Sequence, residues 1–276
     1  MEKHSSSKKI SSILNNQIVQ IALVIVLVVA AFVIGSLLTK VQMLEKNVGK
    51  SAQGTETTTG ANQQPQQPKI ELAQIKDVVN KAAIKFGDGN EKLVILEVSD
   101  PSCPYCQIAG GKNKELNTGQ FKLVADGGTY LAPVPEIRKL VDQGKASFAL
   151  IYFPGHGSGE MGMKALYCAF EMRKFWEVND LIMSNTGYNL MNNTVKNDKT
   201  QSGVLADFLG SVINASNMKS CLDSGKYDSQ LTADMGLASS VGVNGTPGFY
   251  INTTNFAGAY GYDAMEPVIN AALGIK

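Results

Sequence analysis

The sequence predicts an α/β domain with a helical insertion, preceded by one N-terminal transmembrane helix. Three observations predict it. An uninterrupted apolar segment lies close to the N-terminus. A stretch rich in Gly, Thr, Gln and Pro, with almost no apolar content, follows it. Beyond that stretch the hydrophobic pattern runs strand, helix, strand, a long helical block, then two strands and a helix, which is the order of a layered α/β domain carrying an insertion.

The apolar segment covers residues 18–38. From Ile21 to Ile34 no side chain is polar, and with its flanks the run reaches the roughly 20 residues needed to cross about 30 Å of hydrocarbon. A buried core helix would need a cover that nothing N-terminal to it provides. A cleaved signal peptide has a shorter apolar region, about 7–15 residues, followed by a small-x-small site. Neither fits well, so an uncleaved signal anchor is expected in the cell membrane. Lysines orient it weakly: Lys3, Lys8 and Lys9 precede it, and Lys40, Lys46 and Lys50 follow. The Lys8-Lys9 pair and the free N-terminus favour a cytoplasmic tail of residues 1–17.

Residues 39–68 read as a stalk and flexible linker. Val41, Leu44 and Val48 continue an apolar stripe for barely two heptads, too short for a coiled coil, so a monomer is expected. Ser51 to Pro68 buries too little apolar surface to fold. The folded domain is expected over 69–276. Lys and Arg number 25 against 24 Asp and Glu, so no basic excess points to nucleic acid.

Within the domain, residues 71–86 read as an amphipathic helix, with Leu72, Ile75, Val78, Val79 and Ala82 on one face. Residues 92–98 are a short apolar strand. Residues 134–143 are helical, with Gly144 as the stop, and 147–153 form a second strand. The helical insertion occupies about 157–240, and the helical pattern runs over 160–241 with breaks near Gly187, Asn192 and Ser202. Residues 248–252 are a third strand, 257–262 its hairpin partner, and 264–273 a final helix.

The chemistry centres on Cys103-Pro104-Tyr105-Cys106, where a buried strand meets the next helix. Pro104 suits the first helical turn, which has no use for its missing N–H. The unpaired N–H groups and the positive dipole end there favour a thiolate on Cys103. A thiolate is both the nucleophile and the better leaving group in disulfide exchange. Cys106, one turn on, is placed to resolve a mixed disulfide. Half of a zinc site is the rival reading. It wants a second close pair, and Cys168 and Cys221 lie far apart, while the histidines are only His4 and His156. No metal and no cofactor beyond the cysteine pair is expected.

Two further features bear on this site. Glu97 lies in the strand between apolar neighbours, where burial raises a carboxyl pKa and equips it to pass a proton to or from Cys106; an edge-strand position facing water is the alternative. Val243-Asn244-Gly245-Thr246-Pro247-Gly248 places a proline between a glycine-rich turn and a strand, a setting that admits either a cis or a trans bond. His156, in Pro154-Gly155-His156-Gly157, reads as a solvated loop residue. Phe170, Phe175 and Trp176 read as insertion core.

The cysteine motif after a strand ending Leu96-Glu97, with Gly245-Thr246-Pro247 far downstream, resembles the DsbA-like branch of the thioredoxin superfamily. Tyr152-Phe153-Pro154, Ala165-Leu166-Tyr167-Cys168-Ala169 and Lys174-Phe175-Trp176-Glu177 are similar to that family's insertion region. The resemblance covers most of 69–276 and implies a thioredoxin-like fold and a membrane-anchored, extracytoplasmic thiol–disulfide oxidoreductase. It implies Cys103 as the attacking cysteine and Cys106 as the buried resolving one. Pro104 and Tyr105 would tune the potential, and Glu97 would be the buried acid. Thr246-Pro247 would form a cis-proline loop that pairs with an extended client.

Folding secreted proteins are the implied clients, with a quinone-linked membrane reoxidase as electron partner. A reductase or isomerase fed by a membrane electron carrier, and a tethered client-binding factor without catalysis, remain as other readings. The resemblance also implies a structural disulfide Cys168–Cys221, which would require an oxidising compartment; two buried free cysteines are the alternative. One departure stands out: Ala109-Gly110-Gly111 interrupts the helix after Cys106 early, and Asp126-Gly127-Gly128 and Ala132-Pro133 follow, an insertion beside the site.

Overall fold

The seven residues Leu93–Ser99 are all buried. A strand without a solvent face needs neighbours on both edges and a layer on each side. The computed structural model describes residues 70–275 and gives this strand that surrounding. The expected membrane span, stalk and linker lie outside the described residues; among those described, no helix is long and apolar enough to cross a membrane.

The sheet has five strands: β1 (Ile84–Phe86), β2 (Leu93–Ser99), β3 (Ala146–Tyr152), β4 (Gly248–Ile251) and β5 (Thr254–Ala257). Their spatial order is β1-β3-β2-β4-β5. β2 runs parallel to β3 and antiparallel to β4. The helices are α1 (Leu72–Lys81), α2 (Pro104–Gly110), α3 (Pro133–Asp142), α4 (Glu160–Glu171), α5 (Phe175–Ile182), α6 (Asn185–Leu190), α7 (Ser202–Leu209), α8 (Ala215–Asp223), α9 (Asp228–Ser240) and α10 (Tyr262–Leu273).

Alternation along β2 sorts its side chains between two cores. Val94, Leu96 and Val98 join Ile75, Val78 and Val79 of α1 and Ala238 of α9. Leu93 and Ile95 face the other way, with Ile137 of α3, Met161 of α4 and Met265 of α10. Each such apolar side chain contributes about 1.5–3 kcal/mol when fully buried, so both layers are committed to the centre of the sheet.

Register then decides where the chain ends meet. Ser99 pairs with Tyr152, and Val98 with Gly248. The segments after β2, after β3 and before β4 therefore emerge side by side at the carboxyl edge of the parallel pair.

Three elements differ from the sequence expectation. The helix expected over 71–86 stops at Lys81, because Ala82 is extended (ψ 141). Ile84–Phe86 is instead a strand on β3, with Ile84 opposite Leu150 and Phe86 opposite Phe148. Its burial alternates, with Lys85 exposed, and Phe86 stacks on Trp176 at 5.3 Å and meets Phe170 edge-on at 5.4 Å. The edge of β3 and this aromatic cluster outweigh the continuing helical stripe.

The hairpin partner expected at 257–262 lies earlier, at Thr254–Ala257. The turn is made by Asn252, at φ 52, a conformation asparagine tolerates. Its Oδ1 accepts from the Val94 amide at 2.9 Å and its Nδ2 donates to the Lys92 carbonyl at 3.1 Å. Gly187, expected as a break, lies inside α6. A Cβ there would meet the Leu181 and Ile182 carbonyl oxygens at 2.4 Å, so the glycine permits a close approach. The breaks fall around it: at Ser184, whose hydroxyl caps α6, and through a π-helical turn, Met191–Val195, that contains Asn192.

Phe175 and Trp176 are buried with this insertion core and Phe170 packs against it. A disulfide joins Cys168 in α4 to Cys221 in α8, 53 residues apart, with Cα atoms at 6.1 Å. A loop of this size constrains the unfolded chain by about 4 kcal/mol. Replacing both cysteines by alanine is expected to lower unfolding stability by roughly 3–4 kcal/mol, measured by urea titration at constant pH.

Candidate active site

Cys103 is the N-cap of α2, with Pro104 in the first turn. Its amide donates to the Asp100 carbonyl at 2.9 Å, and its own carbonyl accepts from the Gln107 amide at 3.1 Å. The cysteine is thus fixed at the mouth of the helix. Both active-site cysteines are free thiols and buried. The Cys103 thiol donates to the Thr246 carbonyl at 3.5 Å, and the peptide bond joining Thr246 to Pro247 is cis.

The two thiols titrate apart. Hydrogen bonding from the Cys106 thiol pulls the Cys103 pKa down to about 6, against the opposing effect of partial burial, with help from the Cys106 and Tyr105 amides and the Thr246 side chain. Burial pushes Cys106 well above the ordinary thiol range, and the neighbouring Cys103 adds to this. Cys106 accepts from the Asp100 amide at 3.4 Å. At neutral pH Cys103 is the thiolate and Cys106 holds the proton.

Glu97 is on the central strand and only 4% exposed, not at an edge. Burial raises its carboxyl to about 7, and only the Ser99 hydroxyl opposes the rise. Ser99 lies on the same face of β2 and close enough to favour the charged forms of both Glu97 and Cys106, yet its Oγ makes no well-formed hydrogen bond. Glu97 and Cys106 therefore flank one buried hydroxyl.

Tyr105 is half-exposed and meets Phe121 edge-on at 6.2 Å; Phe121 meets Tyr130 in the same way at 5.4 Å. These rings belong to the insertion after Cys106. α2 ends at Gly111, whose φ is 65, and a Cβ there would lie 2.6 Å from the Ala132 Cβ. Residues 112–132 fold back over α2 around a satellite core of Ile108, Tyr130 and Ala132. Among the described residues no cluster of metal-ligating side chains is found.

Residues 134–271 match the thioredoxin family. The chain belongs to this family. The match begins downstream of Cys103 and Cys106, so the cysteine motif stands on its own geometry in this thioredoxin-family domain. Among solved structures, a variant of alpha-DsbA1 from Wolbachia pipientis superposes with a TM-score of 0.54 at 17% identity, over 74% of this chain and 96% of that one. The catalytic domain of Proteus mirabilis ScsC gives a TM-score of 0.50 at 20% identity, over 74% and 97%. These likenesses show a thioredoxin-like fold. Comparison with curated protein sequences gives no match.

The structure brings Cys103, Pro104, Tyr105, Cys106, Glu97, Thr246 and Pro247 to one edge of this fold. Cys168 and Cys221 lie apart, inside the helical block. Sequence reasoning missed Asp100, which is fully buried. Its Oδ1 accepts from the Ser102 amide at 2.8 Å and the Ser102 hydroxyl at 2.7 Å. Its Oδ2 accepts from the Gly155 amide at 2.7 Å and the His156 amide at 2.8 Å. The His156 side chain remains exposed, but its backbone joins the site. The sequence signal that was available is an acidic residue directly after an apolar strand and before Cys-x-x-Cys.

Alkylation of Cys103 by iodoacetamide in the reduced protein is expected to follow a titration with a midpoint near pH 6, with Cys106 reacting only far above it. For Glu97 the folded-state pKa exceeds the ordinary 4.5. Its protonated form therefore favours the fold, and this contribution is lost as pH rises from 4.5 through about 7. Glu97→Gln is expected to gain on wild type by up to about 3 kcal/mol between pH 4 and pH 8, read from urea unfolding at both pH values with the disulfide states held fixed.

Proposed function

We propose that this chain is an extracytoplasmic, membrane-anchored thiol–disulfide oxidoreductase that donates the Cys103–Cys106 disulfide to folding secreted or surface proteins. One observation carries the reading: Cys103 is held near pKa 6 beside the Thr246 carbonyl of the cis-proline loop, directly over a Cys106 that retains its proton. A low pKa on Cys103 stabilises the dithiol form, and stabilising the reduced form makes the disulfide the better oxidant.

A client thiolate attacks Cys103 Sγ in the oxidised protein. The Cys103–Cys106 bond breaks, and its electron pair leaves on Cys106 Sγ, which takes a proton. Glu97, with a pKa of about 7, is matched to supply that proton at neutral pH, and the Ser99 hydroxyl lies between the two. A second client thiolate then attacks the client sulfur of the mixed disulfide. Cys103 leaves as a thiolate, and the client gains one disulfide. A quinone-linked membrane partner takes the two electrons back.

The extracytoplasmic placement is supported by the apolar run at residues 18–38 and by the second disulfide, Cys168–Cys221, since structural disulfides persist in oxidising compartments. The cis-proline loop supports recognition of extended clients by backbone pairing.

The test is the redox equilibrium of the full chain in detergent against glutathione, with thiols counted by alkylation. One pair titrating toward about −120 mV is the expected donor, while a value toward about −270 mV assigns a reductase. Cys103→Ser is expected to abolish peptide oxidation. A Cys103→Ser protein that supports client folding as well as wild type would establish the binding-factor reading instead.

A further inference from the structure

The loop at 154–159 turns its backbone inward. The Gly155 and His156 amides reach Asp100. The Ser158 amide donates to the Ser102 Oγ at 3.1 Å, and that same hydroxyl donates to Asp100. Asn197 holds the far side, donating to the Gly157 carbonyl at 2.9 Å and accepting from the Met161 amide at 3.3 Å. The loop is therefore tied to the turn that carries Cys103 by three of its own N–H groups, all converging on one carboxylate and the serine bonded to it.

This loop touches the reacting centre. A Cβ on Gly155 would lie 1.9 Å from Thr246 Oγ1 and 3.2 Å from the Cys103 Cβ. The backbone of Gly155 thus lies against both the attacking cysteine and the cis-proline loop. Thr246 Oγ1 is buried and makes no well-formed hydrogen bond, although it lies close enough to Cys103 to favour its thiolate, so its own side chain pins the cis-proline loop only weakly. Packing against Gly155 helps to keep it over Cys103.

We propose that Asp100 is a positioning residue for client binding: by accepting from the 154–159 loop and from the cysteine turn at once, it holds Gly155 against Cys103 and Thr246 as one wall of the client cleft. This rests on the exchange function proposed above. Both oxygens of the side chain face donors, two on each. An asparagine presents one acceptor and one NH2 donor, so it satisfies the Ser102 side or the loop side and sets donor against donor on the other. The space is closed as well, because a Cβ on Gly159 would lie 1.7 Å from Asp100 Oδ1. All four side-chain bonds of Asp100 end on the cysteine turn and the loop, none on the sheet ladder, so their loss loosens the cleft before it loosens the core.

The experiment compares wild type with Asp100→Asn as full chains in detergent, using oxidation of a cysteine-containing peptide and amide hydrogen exchange. The variant is expected to raise KM for the peptide about tenfold, the equivalent of ~1.4 kcal/mol, with kcat within roughly twofold of wild type. Exchange at Gly155, His156 and Ser158 is expected to speed up about tenfold while the β2 amides keep their protection.

Unchanged exchange at the three amides overturns the proposal, as does faster exchange with an unchanged KM. Loss of β2 protection together with falling kcat assigns Asp100 to the fold alone and also overturns it. If wild type oxidises no peptide, the oxidoreductase reading fails separately. The wall is then read from non-covalent affinity for the peptide with serine in place of cysteine, expected to be about tenfold weaker in the variant. Should Asp100→Asn not fold, Gly155→Ala is used, with the Asp100 bonds intact but the wall displaced into Thr246; it is expected to raise KM in the same way, and a wild-type KM there overturns the proposal.

Discussion

β2 is closed to water from end to end, and everything at its carboxyl end depends on that. A polar group buried without a partner costs free energy on the order of 1–3 kcal/mol. Glu97 and Ser99 in the last residues of β2 and Asp100 directly after it are all nearly inaccessible, and each meets the constraint differently. Asp100 collects four hydrogen bonds. Ser99 lies between Glu97 and Cys106 and carries the cost, with no well-formed hydrogen bond. Glu97 has no cation beside it among the described residues, and burial favours its protonated form. The sheet register places the cis-proline loop and the 154–159 loop over this same end, so the solvent-free strand and the exposed reaction edge meet within a few residues.

The two carboxylates near the cysteines illustrate opposite uses of burial. Desolvation without compensation favours the neutral acid at Glu97. N–H and O–H donors all round Asp100 serve as an anchor. One side chain is suited to exchanging a proton, the other to holding the backbone still. Their separation along the strand also keeps a proton-holding acid on the Cys106 side and a hydrogen-bonded anchor on the loop side.

What was legible in the sequence was what is local. The apolar run of β2, the Cys-x-x-Cys at a strand–helix junction, the proline of α2 and the glycine stop after α3 each express their physics within a few residues. Glu97 was legible because its neighbours are all apolar. The role of Asp100 was not, since beyond Ser102 its partners lie 55 and 56 residues away and are backbone amides that any sequence would supply. β1 was hidden by an apolar stripe that continues past Lys81 at helical spacing, whereas pairing with β3 and the contact of Phe86 with Trp176 are tertiary. The hairpin partner was expected too late because no local signal marks Asn252 as the turn; it makes the turn through side-chain bonds to Lys92 and Val94 that only the folded sheet provides.

The satellite core around Ile108, Tyr130 and Ala132 has a separate consequence. Leu116, Phe121, Leu123 and Ala259 pack against it, while Cys106 lies within α2 and Glu97 on β2, neither of them in this cluster. Gly128 lets the chain turn tightly there, since a Cβ would meet the Lys122 carbonyl oxygen at 2.0 Å. Substitutions on the outside of this small module alter the landscape beside Tyr105 while leaving the strand register and the thiol chemistry alone. Evolution can therefore edit the rim of the reaction edge and its electron-transfer centre on different stretches of chain, and a new surface need not be accompanied by a new redox couple.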